Sequence, residues 1–248
     1  MSGHNKWSTI KRKKGAADAK RSKMFSRISK ELTVAVKEGG TDPDSNPRLR
    51  VAIQNAKGVN MPKDNVNRAI SKAESDDANF QEITFEGYAT NGIAIFVECL
   101  SDNNNRTVAS IRSVFNKKGG NLGTNGSLSF LFDRKGIFTV LKEGLDIDEF
   151  ELETIDAGAE DFEVLDEHVI ITTDMEDFGN MQKKLDEMKI EVENAELQRI
   201  PNNTTALDVE SAKKVLRMID LFEEDDDVQN VFHNLEITPE LEAALNEE

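Results

Sequence analysis

Residues 136–200 read GIFTVLKEGLDIDEFELETIDAGAEDFEVLDEHVIITTDMEDFGNMQKKLDEMKIEVENAELQRI. GIFTVL (136–141) predicts a strand, and a helical pattern follows near 146–157. FEVL (162–165) and HVIITT (168–173) read as two short strands. Phe178, Met181, Leu185 and Met188 then recur at the spacing of one helix face, and IEVENAELQRI (190–200) predicts a last strand that stops at Pro201. The order βαββαβ is the split-βαβ, or ferredoxin-like, pattern, complete within these residues.

The flanks of this unit are each incomplete. Upstream, residues 82–89 and 93–100 predict a hairpin across Thr90-Asn91-Gly92. A helix at 104–118, the glycine-rich GGNLGTNG (119–126) and a strand SLSFLF (127–132) follow. Downstream, Val209, Ala212, Val215, Leu216, Ile219 and Phe222 mark a helix over 208–223, and VQNVFHNLEI (228–237) predicts a strand. Joined, the flanks make a second α/β domain. We therefore expect a discontinuous domain of residues 80–134 plus 202–240, interrupted by an inserted domain at 135–201, with an acidic tail at 241–248.

The N-terminal part is helical. Phe25, Ile28, Leu32 and Ala35 share one face before Gly39-Gly40. Asn46 and Pro47 predict an N-cap and first position for a helix presenting Leu49, Ile53 and Ala56, ending at Gly58. A third helix begins near Pro62 and presents Val66, Ile70 and Ala73. Residues 1–79 thus read as a basic arm and a helical domain. The expected class is a multidomain α+β protein: a three-helix bundle followed by two ferredoxin-like α/β domains, one inserted in the other.

The net charge of −16 conceals a strong asymmetry. Residues 1–75 hold 17 Lys+Arg against 7 Asp+Glu, whereas 76–248 hold 14 against 40. A phosphate-bearing partner is expected at the N-terminal end. Lys11, Arg12, Lys13 and Lys14 form a tetrabasic run, and Lys20, Arg21, Lys23, Arg27 and Lys30 continue along the first helix. Such an arm and stripe can follow a phosphate backbone by releasing counterions. Trp7, the one tryptophan, lies among His4, Asn5 and Lys6, a group suited to stacking on and hydrogen bonding to an unpaired base. The other reading of this pattern is a solvated face with Trp7 folded onto the bundle. Polar residues of the next two helices, Arg48, Arg50, Gln54, Asn55, Lys63, Asn65, Asn67 and Arg68, could serve a helix-turn-helix reader.

Elsewhere the signals are weaker. The glycines at 119–126 follow a helix and precede a strand, the reverse of a phosphate loop, so a helix cap and turn are expected. Arg106, Arg112, Lys117 and Lys118 nearby form a basic island and a candidate secondary nucleic-acid contact. The run Glu223, Glu224, Asp225, Asp226, Asp227 lacks the alternating ligands of a calcium loop and reads as a solvated turn, with a protein-contact surface or a metal site as weaker readings. The inserted domain is acidic, with 5 Lys+Arg against 20 Asp+Glu over 136–200, and could meet basic ribosomal or polymerase surfaces. His4, His168 and His233 are scattered, and no GxSxG, HExxH or zinc spacing occurs. No enzyme activity, metal, cofactor, small-molecule substrate or membrane contact is expected. Cys99, in an apolar run, reads as a buried thiol of a reducing compartment, which points to the cytoplasm.

Four segments also carry a resemblance: SGHNKWSTIKRKKGAADAKRSKMFSRISKEL (2–32), NPRLRVAIQNAKGVNMPKDNVNRAI (46–70), FEGYATNGIAIFVECLSDNNNRTVASIRSVFNKKGGNLGTNGSLSFLF (85–132) and DDDVQNVFHN (225–234). They closely resemble the YebC/PmpR family, and the similarity runs along essentially the whole chain, weakest in 136–200. This chain departs from the family in Ala89-Thr90-Asn91 before Gly92 and in the acidic ESDDAN at 74–79. The resemblance implies three domains and a cytoplasmic, DNA-binding regulator of transcription; relatives include a mitochondrial translational activator. Three functions stay open. The chain is a DNA-binding transcriptional regulator, a ribosome-associated translation factor on ribosomal or transfer RNA, or a protein-binding scaffold. The sequence shows no dimerisation segment, which weakens an operator-binding arrangement.

Overall fold

The computed structural model describes the backbone of residues 17–75 and 80–246, and side chains over 21–74 and 80–246. It is an α+β protein with two four-stranded sheets. The chain divides into two compact units, 78–133 with 200–248, and 24–77 with 134–199.

In the first unit, β1 (Gln81–Tyr88) and β2 (Ala94–Ser101) form the expected hairpin. Ala89 N–H donates to Ile93 O at 2.8 Å, and Asn91 and Gly92 take φ values of 62° and 75°. Asn-Gly tolerates that left-handed backbone, so the turn closes here. Helix α1 of this unit (Asn104–Lys117) follows, capped by Asn103, whose side chain accepts from Arg106 N–H. Strand β3 is only Asn121–Leu122. The sheet is completed by β8 (Val228–His233), in the order β3-β1-β2-β8. Strand β2 is buried on both faces, which explains a continuous apolar run where alternation would mark a one-sided strand. Ile93, Ile95, Val97 and Cys99 pack on Ile111 and Phe115 of α1 and on Ile219 and Phe222 of helix α2 (Val209–Glu224). Ala94, Phe96 and Phe232 pack on Leu128 and Phe132 at the opposite face.

Two expected elements differ. Residues 127–131 are a turn and a short 3-10 segment, Ser129–Leu131, instead of a strand. The buried Glu86 carboxylate accepts from Gly126 N–H at 2.6 Å and Leu128 N–H at 2.5 Å, so these donors are turned inward and unavailable to a ladder. The last strand stops at His233, not residue 237; Thr205 and Leu235 form only an isolated bridge. The acidic tail is corrected as well: helix α3 (Pro239–Asn246) buries Leu241 and Leu245 in the same core.

In the second unit, helix α4 (Ala17–Gly39, its first residues assigned to the other unit), helix α5 (Pro47–Gly58) and helix α6 (Lys63–Ser75) bundle around Leu32, Ala35, Leu49, Ala56, Met61 and Val66. Asn46 is 3% exposed and caps α5 by accepting from Leu49 N–H. Its amide donates to Ala35 O at 2.7 Å and Gly40 O at 2.8 Å, tying one helix end to the next start. Residues 132–201 follow the order βαββαβ: β4 (Phe132–Leu141), α7 (Ile147–Asp156), β5 (Ala159–Val164), β6 (His168–Asp174), α8 (Phe178–Glu187) and β7 (Val192–Pro201). The sheet order is β5-β6-β4-β7. Phe138, Val140, Phe150, Ile171, Met181 and Leu185 form its core.

The open edge of β7 is covered by α5. Asn55 Nδ2 donates to Ala195 O at 2.9 Å and Asn55 Oδ1 accepts from Ala195 N–H at 2.8 Å, one side-chain amide standing in for a neighbouring strand. Gly58 lies against β7 so closely that a Cβ there would fall 1.8 Å from Glu193 O.

Candidate nucleic-acid interface

His4, Asn5, Lys6, Trp7, Lys11, Arg12, Lys13 and Lys14 lie outside the described residues. The cations that follow them lie on α4, whose backbone is helical from Ala17, so Lys20, Arg21, Lys23, Arg27 and Lys30 sit along one element. Arg21 is exposed, whereas Lys23, Arg27 and Lys30 are half-buried and already engaged within the chain. The stripe adjoins the core-facing residues Phe25, Ile28 and Leu32, which hold it to the bundle.

The polar face of α5 is occupied. Arg48 Nε donates to Glu31 at 2.8 Å and its Nη1 to Glu38 at 2.8 Å. Arg50 donates to Pro43 O and Asp44 O. Gln54 accepts from Gln182 at 2.8 Å, and Asn55 is committed to Ala195. A recognition helix needs such side chains free to reach base edges. On α6, Lys63, Asn67 and Arg68 are exposed and Asn65 is half-buried.

The secondary basic island divides. Arg106 is held by Asp227, with Nη2 to Oδ2 at 2.7 Å, and by Asp102 at 2.8 Å. Those hydrogen bonds, to Asp227 first, raise its pKa further above the ordinary guanidinium value. Asp227, 4% exposed, also accepts from Ser101 Oγ at 3.0 Å and Thr107 Oγ1 at 2.9 Å. Ser110 donates to Asp225. The acidic run is therefore partly a structural clasp between β8 and the start of α1, in place of a fully solvated turn. Among the described residues no His, Cys, Asp and Glu group of three or more is placed to hold a metal ion. Arg112, Lys117 and Lys118 are exposed, and none has an ion-pair partner among the described residues.

Two exposed aromatic residues were not picked out from the sequence. Phe130 is 70% exposed and Tyr88 37% exposed. Phe130 lies between the buried Leu128 and Phe132, so the alternation that suggested a strand hid a ring turned outward. A charged residue at the centre of FEGY, Glu86, was the available signal that something folds back onto that face.

Comparison with known proteins agrees with this architecture. Residues 5–76 match the family described as "TACO1/YebC protein N-terminal domain", and residues 80–235 match "TACO1/YebC second and third domain". The chain belongs to the TACO1/YebC family. A relative from Amoebophilus asiaticus, named "Probable transcriptional regulatory protein", is 49% identical over 239 residues, 95% of this chain and 98% of that one. A Rubrobacter xylanophilus protein of the same name is 47% identical over 248 residues, 99% of each chain. The crystal structure of a conserved hypothetical protein of Aquifex aeolicus has the same fold, with a TM-score of 0.79 and 40% identity over 89% of this chain and 92% of that one. No helix among the described residues of this TACO1/YebC protein is long and apolar enough to cross a membrane.

Proposed function

We propose that this protein is a non-enzymatic, cytoplasmic regulator of gene expression that grips nucleic acid with residues 1–79, its α/β domains, 80–134 with 202–240 and 135–201, serving as acidic surfaces for protein partners. The observation that carries this reading is charge segregation. The 17 Lys+Arg against 7 Asp+Glu of residues 1–75 would draw phosphate, and the 14 against 40 of residues 76–248 would repel it. The contact residues in this reading are His4, Asn5, Lys6, Trp7, the run Lys11 to Lys14, and the helical cations from Lys20 to Lys30. The relatives' shared name favours transcription, with promoter DNA as the ligand.

The occupied face of α5 favours a second reading, a translation factor on ribosomal or transfer RNA. With Arg48, Arg50, Gln54 and Asn55 engaged inside the protein, that helix has few side chains left to read a major groove. Ultraviolet crosslinking in cells, sequencing both RNA and DNA, tests these readings against a variant with Lys11, Arg12, Lys13 and Lys14 changed to Glu. Arm-dependent promoter DNA supports the first, and arm-dependent ribosomal or transfer RNA the second. Recovery of neither would overturn nucleic-acid binding and leave the acidic domains as a protein scaffold.

A further inference from the structure

Helix α7 keeps an apolar pair in water. Its inner face buries Phe150 and Thr154, and the Phe150 ring meets Phe162 of β5 with centroids 5.7 Å apart. Leu152 and Ile155 lie on the outer face, 66% and 52% exposed, and neither packs in the domain core. Residues three apart on a helix are neighbours, so the two side chains form one patch. Asp148 and Asp156 stand one turn before and one turn after Leu152, Glu149 three residues before it, and Glu151 one turn before Ile155. All four carboxylates are exposed, none has an ion pair among the described residues, and α7 contains no Lys or Arg. Helix stability accounts for only part of this pattern. Asp148 and Glu149 sit in the first turn, where the helix dipole favours a carboxylate. Asp156 ends the helix, where the dipole opposes one, and the last turn holds no basic residue.

Beside that end a cleft of about 190 Å³ opens between Asp156 and Ala157 on one side and Asn180, Lys183, Lys184 and Glu187 of α8 on the other. Its lysines are engaged, Lys184 with Glu153 and Lys183 with Glu187 at 3.7 Å. The cleft therefore offers a partner the Asp156 carboxylate next to the apolar pair. The chemistry of this face names its occupant. Covering Leu152 and Ile155 takes apolar side chains, and approaching four carboxylates takes cations around them. Nucleic acid is repelled by those carboxylates, and a second copy of α7 would bring four more of the same sign. A neutral apolar partner would strip water from the carboxylates without replacing its hydrogen bonds. The whole inserted domain reinforces the choice, with 5 Lys+Arg against 20 Asp+Glu over residues 136–200.

We propose that the outer face of α7 docks a basic amphipathic helix of a protein partner. Two apolar residues of that helix, one turn apart, cover Leu152 and Ile155, and its lysines or arginines meet Asp148, Glu149, Glu151 and Asp156. This rests on the reading above of the acidic domains as protein-binding surfaces, and gives that reading one surface and one partner chemistry. Fluorescence anisotropy on the full chain tests it, with a labelled helical peptide of about 15 residues as probe, leucines along one face and lysines elsewhere. A peptide with glutamate at every lysine position is the charge control. The wild-type protein binds the lysine peptide and not the glutamate one. Leu152→Gln with Ile155→Gln leaves every charge in place and keeps the fold, because both side chains are exposed, yet it loses affinity about tenfold. Asp148→Asn with Asp156→Asn also weakens binding and flattens its dependence on salt. In cells, a photocrosslinking phenylalanine derivative in place of Ile155 captures protein segments that carry Lys or Arg beside apolar residues. Crosslinks confined to nucleic acid, to acidic segments or to a second copy overturn the docking. Equal affinity of the glutamine variant and the wild type assigns binding to bulk acidity, which overturns this face and leaves the acidic domains as protein surfaces. A wild-type protein that ignores the lysine peptide overturns both.

Discussion

Glu86 illustrates how one side chain can reorganise a segment far along the chain. Its carboxylate is 2% exposed and satisfies two backbone donors of the glycine-rich loop. Glu86→Ala leaves those donors without an acceptor, at a cost of about 1–3 kcal/mol for the buried one. The urea midpoint falls accordingly, and amide exchange quickens at Gly126 and Leu128 before the rest of the sheet. Glu86→Gln, with one acceptor oxygen left, falls between wild type and Ala; equal stability of all three would disprove this role. Asn46 acts locally, capping its own helix and donating to the carbonyls of Ala35, in the preceding helix, and of Gly40 just after it. Its position was legible in the sequence because Asn before Pro is a local signal. The Glu86 joint was not, because its partners are 40 and 42 residues away and an apolar alternation there imitates a strand.

At the level of elements, the docking of α5 on β7 makes an unusual sign prediction. Gly→Ala near a helix end ordinarily stabilises by about 0.5–1 kcal/mol. Gly58→Ala instead destabilises, because the new methyl would stand 1.8 Å from Glu193 O and force helix and strand apart. A raised melting temperature for this variant would contradict the packing. Asn55→Ala leaves buried Ala195 N–H without its acceptor and costs about 1–3 kcal/mol by denaturant titration. Helix α2 begins at Asp208, whose carboxyl sits below its ordinary 3.8, first through the Ser211 backbone N–H and then the Ser211 side chain. A lowered carboxyl pKa adds stability above 3.8 that is lost as pH falls through the folded value. Asp208→Asn therefore removes part of the acid limb of melting temperature against pH and leaves the alkaline limb unchanged. The helices and most strands were readable from their apolar periods. The pairing of α5 with β7 was not, since Asn55 and Ala195 are 140 residues apart and an Asn on a helix face looks solvated.

For the molecule as a whole, segregated charge predicts steep salt dependence. Each phosphate neutralised contributes a slope of about −0.7 to −0.9 in log affinity against log salt. Reversing Lys11, Arg12, Lys13 and Lys14 reduces that slope in an anisotropy titration; an unchanged slope would place the ligand elsewhere. The basic end was visible in the charge distribution before any fold was known. Which cations remain free was not, because the commitment of Arg48, Arg50 and Arg106 depends on tertiary neighbours.

The interleaving of the two units also imposes a schedule. Strand β2 lies at the middle of its sheet, yet its neighbour arrives late, Ile95 pairing with His233. During synthesis the second unit has all its residues once the ribosome has passed 199, while the first still lacks α2, β8 and α3. A nascent chain stalled after residue 201 therefore exposes the apolar face of β1 and β2, a surface that chaperones bind and that aggregates readily. Sequence-distant pairing of this kind slows folding. The unit that starts at residue 78 is thus finished only when the last few dozen residues have emerged, well after residues 24–77 and 134–199 are free to fold together.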